Sequence, residues 1–434
     1  MKFVIAMDSF KGSMTSLQAG AAVKRAAVRV FPGAEVVVLP FADGGEGTAE
    51  SLTTGLGGRF EAVRVTGPLG EPVEARYGIA GRTAVIEMAE AAGLPLVPPD
   101  KRNPLETTTY GVGELIGDAL DKGCRDFVLG LGGSATNDGG IGMLEALGFD
   151  FLDSEGRPVP RGGKGLEHLA SIRTDGARPE LSECTFRAAC DVDSPLTGPF
   201  GASAVFGPQK GADPEMVERL DRGLANYAEI AEQLPQRKTG APKSSGGSSS
   251  VSAGAASPGG PASDDPGVTG SAGSDSRKLS DAPGAADRPV PALSDTPGAG
   301  AAGGMGFAVI AFLHGELLPG TDLVIRVTGL EREIEDADLV VTGEGRIDAQ
   351  TGMGKGPVRI ARLAKKYGKT VLAFGGSIAD DAGVCNENGI DAFFPILRSV
   401  VTLEEALDPK RAAENLERAA EQVFRLIRAH ILRP

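Results

Sequence analysis

The chain has 434 residues, with 44 Lys and Arg against 58 Asp and Glu, a formal charge of -14, three His and four Cys. That length fits one to three α/β domains, two being the central expectation, and the acidic balance repels polyanions and argues against a nucleic-acid partner. No apolar run approaches the roughly 20 residues of a membrane span and the start carries no leader-like pattern, so a cytoplasmic protein without membrane contact is expected.

Residues 3–7 read as a buried strand, 8–14 as a loop, and 15–31 as a helix whose apolar face includes Leu17, Ala21, Ala27 and Phe31. A second strand at 35–39 leads into the loop FADGGEGT and a helix from Ala49, a βαβ opening of a doubly wound, Rossmann-like sheet. The texture changes at 60–90, where β segments broken by TGPLGEP and AGR suggest a second α/β domain. Helical signals at 109–122 precede the strand DFVLGLGG and the loop GGSATNDGG, and a helix is expected from Asp213 through Ala231.

The segment 235–295 is dominated by Ser, Gly, Pro, Ala and Asp; it buries too little to offset ordering entropy and is expected to be a disordered insertion. Beyond it, 302–313 reads as a helix, 338–342 as a strand entering a GEGRID loop, 358–367 as a helix and 370–374 as a strand. Thr402 with Glu405 makes a capping box, and Asp408 with Pro409 starts a helix whose stripe runs Leu416, Ala420, Val423, Ile427. The expected organisation is a discontinuous Rossmann-like domain from 1–58 and 296–434, an inserted α/β domain at 59–234, and an active-site cleft between them.

Cys124, Cys184, Cys190 and Cys385 contain no CxxC pair and the histidines no ligand pattern, so the thiols are read as reduced and any metal as a hard ion held by oxygen. Four Gly-rich, acid-bearing loops carry the remaining signal: Asp8 to Ser13, Asp43 to Thr48, Gly132 to Gly140, and Gly343 to Asp348. Glycines let backbone N–H groups approach phosphate oxygens. One such loop after a strand is ordinary turn chemistry; four of them point to phosphate. Carboxylates near lysines, as in Asp8 with Lys11, Asp191 near Lys210 and Asp348 with Lys355, suit phosphoryl transfer, which needs metal ligands, an acceptor for the alcohol proton and cations for migrating charge. Each pair alone could equally be a surface ion pair. Gly354-Lys355 is no Walker A end, because Ala349 and Gly356 stand where Gly and Ser or Thr are required. A GxGxxG match at 298–303 follows low complexity rather than a strand, which argues against NAD, and His168 has no nucleophile partner.

Taken together, MDSFKGS at 7–13, PFADGGEGT at 40–48, GLGGSATNDGG at 130–140, CDV with PL and GP at 190–199, FGPQKGA at 206–212, PGAGAAGGMG at 297–306, and VTGEGRIDAQT with GKGP at 341–357 resemble the bacterial glycerate kinase family, of the ATP-dependent glycerate 2-kinase type. The resemblance covers about 1–234 and 296–434 and departs from it at 235–295, where typical members have a short connection. It implies an ATP- and Mg²⁺-dependent kinase that phosphorylates D-glycerate, usually to 2-phosphoglycerate, as a monomer or homodimer. A kinase of another small hydroxy acid and a non-catalytic nucleotide- or metabolite-binding regulator are the alternatives. Asp191, in a compact Gly/Pro-bounded loop, is assigned to orient or deprotonate the substrate hydroxyl, with Asp8 and Lys11 beside it in the chemistry. Arg346 is assigned to the glycerate carboxylate, with Ser134, Thr136 and Asn137 as further substrate donors. Gly132, Gly133, Gly343, Gly345 and Lys355 are assigned to the nucleotide, and Asp43 and Asp348 to metal.

Overall fold

A computed structural model describes residues 1–42, 47–234, 292–354 and 356–431. Residues 1–233 and 292–434 form one compact unit. It contains two large sheets.

The first sheet is fully parallel, in the order β13-β12-β11-β1-β2, built from β1 (Lys2–Met7), β2 (Glu35–Val38), β11 (Leu339–Ile347), β12 (Thr370–Ile378) and β13 (Ala392–Pro395). The alternation expected at 337–434 thus completes the sheet begun at the N-terminus. Helix Ser16–Val30 starts where Thr15 and Gln18 satisfy each other's backbone N–H groups, a capping box. Its face of Ala19, Ala22, Val23 and Ala26 packs with Leu416, Ala420 and Phe424 of helix Pro409–Ile431 against one side of the sheet. Arg29 joins the same two helices by ion pairs to Glu417 and Glu421, each 2.7 Å. Helices Gly320–Thr328, Leu330–Glu335 and Gly356–Lys366 bury Leu323, Ile334 and Ile360 on the other side, so the sheet is doubly wound.

The second sheet is mixed. Its order is β10-β9-β6-β5-β4-β3, with β3 (Arg59–Thr66) and β4 (Pro72–Ala80) antiparallel and β5 (Thr83–Glu87), β6 (Asp126–Gly130), β9 (Thr185–Ala189) and β10 (Glu316–Leu318) parallel. A small hairpin pairs β7 (Asp150–Leu152) with β8 (Ser171–Arg173). Val85, Val128, Ala189 and Leu318 of the second sheet share a core with Val4, Val340 and Val371 of the first.

Two sequence expectations need correction. Residues 296–318 do not join the first sheet: helix Ala301–Ala311 and β10 belong beside β9, because β10 finds a parallel partner there from Arg187 to Ala189. The GEGRI stretch is strand rather than loop, since β12 pairs with β11 through Ile347, well past the last β1 pairing at Gly343. Glycines lower local strand preference, but an intact neighbouring ladder overrides them.

Candidate active site

In the first sheet, β1 leads sideways to β2 while β11 leads the opposite way to β12 and β13, so the strand order reverses between β1 and β11. The space beyond the carboxyl ends of strands at such a reversal is where open α/β sheets bind ligands. Asp8 stands there, 6% exposed. Its N–H donates to Gly343 O at 2.8 Å, and its Oδ1 accepts from Ser9 N at 2.6 Å. Across the reversal Gly345 lies beside the Lys11 backbone: a Cβ on that glycine would make an ordinary 3.5 Å contact with Lys11 N. Glu344 Oε1 accepts from Thr351 Oγ1 at 2.6 Å.

Asp348 ends this edge with an engaged carboxylate. Its Oδ1 accepts from the N–H groups of Gln350 (3.0 Å) and Thr351 (3.2 Å), capping the short turn Ala349–Gly352, and its Oδ2 lies 3.4 Å from Arg346 Nε. Capping is therefore its visible work, and Arg346, whose side chain is largely exposed, leans on it. Asp43 and Lys355, assigned to metal and nucleotide, lie outside the described residues.

The loop after β6 forms a second cluster. Nothing would meet a Cβ on Gly132, and Gly133 adopts φ +73°, so this turn is open and left-handed. The side chains that follow turn inward. Thr136, Asn137 and Asp138 are fully buried, whereas Ser134 keeps 7% exposure. Asn137 Nδ2 donates to Ser203 Oγ at 3.0 Å, while Thr136 Oγ1 and Asn137 Oδ1 have no hydrogen-bond partner among the described residues. Thr136 and Asn137, expected as substrate donors, lie beneath the segment 298–306, where Gly303 packs on the backbone of both. Asp138 Oδ2 accepts from Thr109 N (2.8 Å) and Thr109 Oγ1 (2.9 Å), its Oδ1 from Gly140 N (3.1 Å), and burial pushes its carboxyl above the ordinary range.

The covering segment depends on glycine. Gly303 has φ +72°, its carbonyl accepts from Gly139 N at 2.9 Å, and a Cβ there would stand 2.1 Å from Thr136 O. Gly303→Ala is expected to cost about 2–5 kcal/mol, combining roughly 1–2 for a left-handed alanine with about 1–3 for overpacking. Urea unfolding checks it; a loss below about 0.5 kcal/mol would mean the segment can lift without penalty.

Asp191 follows β9 and is exposed; its Oδ1 accepts from Gly320 N, 2.8 Å away at the start of helix Gly320–Thr328. A hydrogen bond from Ala49 N to Glu87 Oε1 (3.0 Å) ties the rim beyond β2 to the end of β5, so the two sheets' ligand-facing ends are linked there. Among the described residues, no group of three or more His, Cys, Asp or Glu side chains could hold a metal ion, and no helix is long and apolar enough to cross a membrane.

A profile described as the glycerate kinase family matches residues 3–263 and 277–428. The chain belongs to the glycerate kinase family. Among relatives, a glycerate kinase of Bacillus subtilis is 45% identical over 425 residues, covering 98% of this chain and 97% of that one. A glycerate 2-kinase of Escherichia coli is 42% identical with the same two coverages. A crystal structure from Salmonella typhimurium LT2, provisionally assigned as glycerate kinase 2, superposes with a TM-score of 0.77 at 42% identity and 99% coverage of both chains. As a glycerate kinase family member, the protein is an enzyme, a phosphotransferase with an alcohol group as acceptor.

Within this glycerate kinase family chain, sequence reasoning under-read Lys210 and missed Asp138 and Thr109. Lys210 was visible as a cation in FGPQKGA, but its burial depends on segments far apart in sequence. Asp138 was visible as an acid among glycines. Its partner Thr109 sits in a polar run, Thr107 to Thr109, whose complete burial no local pattern announces.

Proposed function

We propose that this chain transfers the γ-phosphoryl group of ATP to a hydroxyl of D-glycerate, with Mg²⁺, giving 2-phosphoglycerate. Family membership supports the reaction class. The observation that carries the reading is the convergence of Asp8, Lys11 and the 343–348 edge at the reversal of strand order, where phosphoryl chemistry needs acids and cations together. The Lys11 ammonium offers positive charge for the transferring phosphoryl oxygens, and Lys355 is proposed for the same task. Arg346 offers a planar guanidinium for the glycerate carboxylate, released from Asp348 when substrate enters. Asp191 accepts the proton of the attacking hydroxyl as the new O–P bond forms and the bond from Pγ to the β-phosphate bridging oxygen breaks.

Mg²⁺ fits this donor set, because it is commonly held by one or two carboxylates with phosphate oxygens and water completing the shell. Asp8 and the Oδ2 of Asp348 would hold it, with Asp43 as the third carboxylate proposed. When bound, the ion neutralises charge on the β- and γ-phosphate oxygens. Nucleotide phosphates are proposed to lie against the backbone of Gly343 and Gly345 and of the open turn at Gly132 and Gly133.

The test is an ATP assay with Mg²⁺ against glycerate, tartronate, lactate and erythronate, with ³¹P and ¹³C NMR of the product. Glycerate should give the highest kcat/KM and phosphate on O2. Preference for another acid would reassign the substrate, and nucleotide binding without any ADP formation would make the chain a metabolite-binding regulator.

A further inference from the structure

Lys210 is, among the described residues, the one basic side chain that is buried, at 2% exposure. An ammonium is costly to remove from water unless it is paired or richly hydrogen-bonded. Here Nζ donates to Ser134 Oγ at 2.9 Å and to Thr136 O at 2.6 Å, both in the loop after β6. The side chain arrives from the turn Pro208–Lys210, whose next residue, Gly211, adopts φ +95° and leaves no room for a Cβ, 2.3 Å from Arg102 O. A rigid turn thus delivers a cation into the middle of the loop, while Asp138 anchors the loop's far end.

The direction of the bond to Ser134 has a chemical consequence. A lysine ammonium can only donate. Ser134 Oγ is therefore the acceptor, and its own hydrogen has to point elsewhere. Among the described residues that hydroxyl meets no acceptor, and Ser134, at 7% exposure, is the least buried residue of the Ser134–Asp138 run. A hydroxyl that accepts from an ammonium keeps its own hydrogen for another acceptor, such as an anionic oxygen.

We infer that Lys210 is a positioning residue for the kinase reaction, which orients the Ser134 hydroxyl, and the turn that carries it, toward an anionic oxygen of the acceptor substrate without itself touching substrate. Burial pushes the Lys210 ammonium down to about 7, with the Asp138 carboxylate opposing that shift. The inference rests on the glycerate reading.

Lys210→Met replaces a buried ion by an apolar side chain of similar length and leaves the buried Thr136 O without its donor, so the variant should lose stability and its folding is checked first. In the otherwise unmodified chain it should raise KM for glycerate roughly ten- to a hundredfold, the range for one hydrogen bond to a charged group, with kcat within about threefold. Ser134→Ala should raise KM similarly, and it covers the case in which Lys210→Met fails to fold. The decisive comparison is the double variant: in the Ser134→Ala background, Lys210→Met should add less than about twofold. If the two changes multiply, or if kcat falls with KM unchanged, the positioning role is wrong. Failure of the glycerate reading would show separately, as no turnover of glycerate by the unmodified chain. Amide hydrogen exchange then decides: faster exchange confined to 132–136 in Lys210→Met upholds the role, and unchanged exchange overturns it.

Discussion

Asp191→Asn is expected to lower kcat with glycerate by roughly 10²–10⁴, the span of a positioned acid–base group, while MgATP affinity stays within a few-fold. The substitution is informative because of what it preserves. Asp191 Oδ1 accepts from Gly320 N at the start of helix Gly320–Thr328, and asparagine keeps an oxygen for that bond. The helix start should therefore survive, with the thermal midpoint within a few degrees. What disappears is the negative charge and the capacity to take a proton. Turnover at saturating glycerate and isothermal titration of MgATP separate the outcomes. Near-normal turnover would return Asp191 to a purely structural task as an acceptor for the helix terminus, and a large drop in MgATP affinity would move it to the nucleotide side of the chemistry.

Local chemistry made much of the fold legible. Thr15 with Gln18 and Thr402 with Glu405 form capping boxes in the structure, and the second of these was readable from spacing alone. The Leu416–Ala420 stripe declared the last helix, and its burial against Ala19 and Ala22 follows from that periodicity. What local pattern could not supply was partnership between distant segments. β11 reads as a turn after Thr342 because Gly-Glu-Gly has poor strand preference, yet β12 gives it a ladder to Ile347. Thr136 and Asn137 read as polar residues of a glycine-rich loop, and nothing local announces that Gly303, remote in the chain, packs against their backbone. The site was legible as a set of loops, and the structure sorts those loops. Asp8 with Lys11 and 343–348 share the strand reversal, Ser134 belongs with Lys210, and Asp191 belongs with Gly320.

The two carboxylates at the strand reversal differ in how firmly their oxygens are already engaged. Asp348 has its Oδ1 committed to two backbone N–H groups and its Oδ2 beside Arg346, and asparagine is as good a helix cap as aspartate. Asp348→Asn should therefore raise the half-saturating MgATP concentration only several-fold. Asp8 is different: it sits at the end of β1, beside the point where β1 and β11 part, and its nearly buried position makes its charge poorly screened. Asp8→Asn should lower kcat/KM for MgATP by at least about 10², since even outer partners of a metal site are commonly worth 10- to 100-fold. Raising Mg²⁺ should recover part of the loss if the missing charge is a metal ligand, because mass action then compensates weaker binding. A defect that excess Mg²⁺ leaves untouched would place Asp8 against the transferring phosphoryl group or the loop itself. If Asp348→Asn proves the more damaging change, Asp348 rather than Asp8 is the principal metal ligand of this edge.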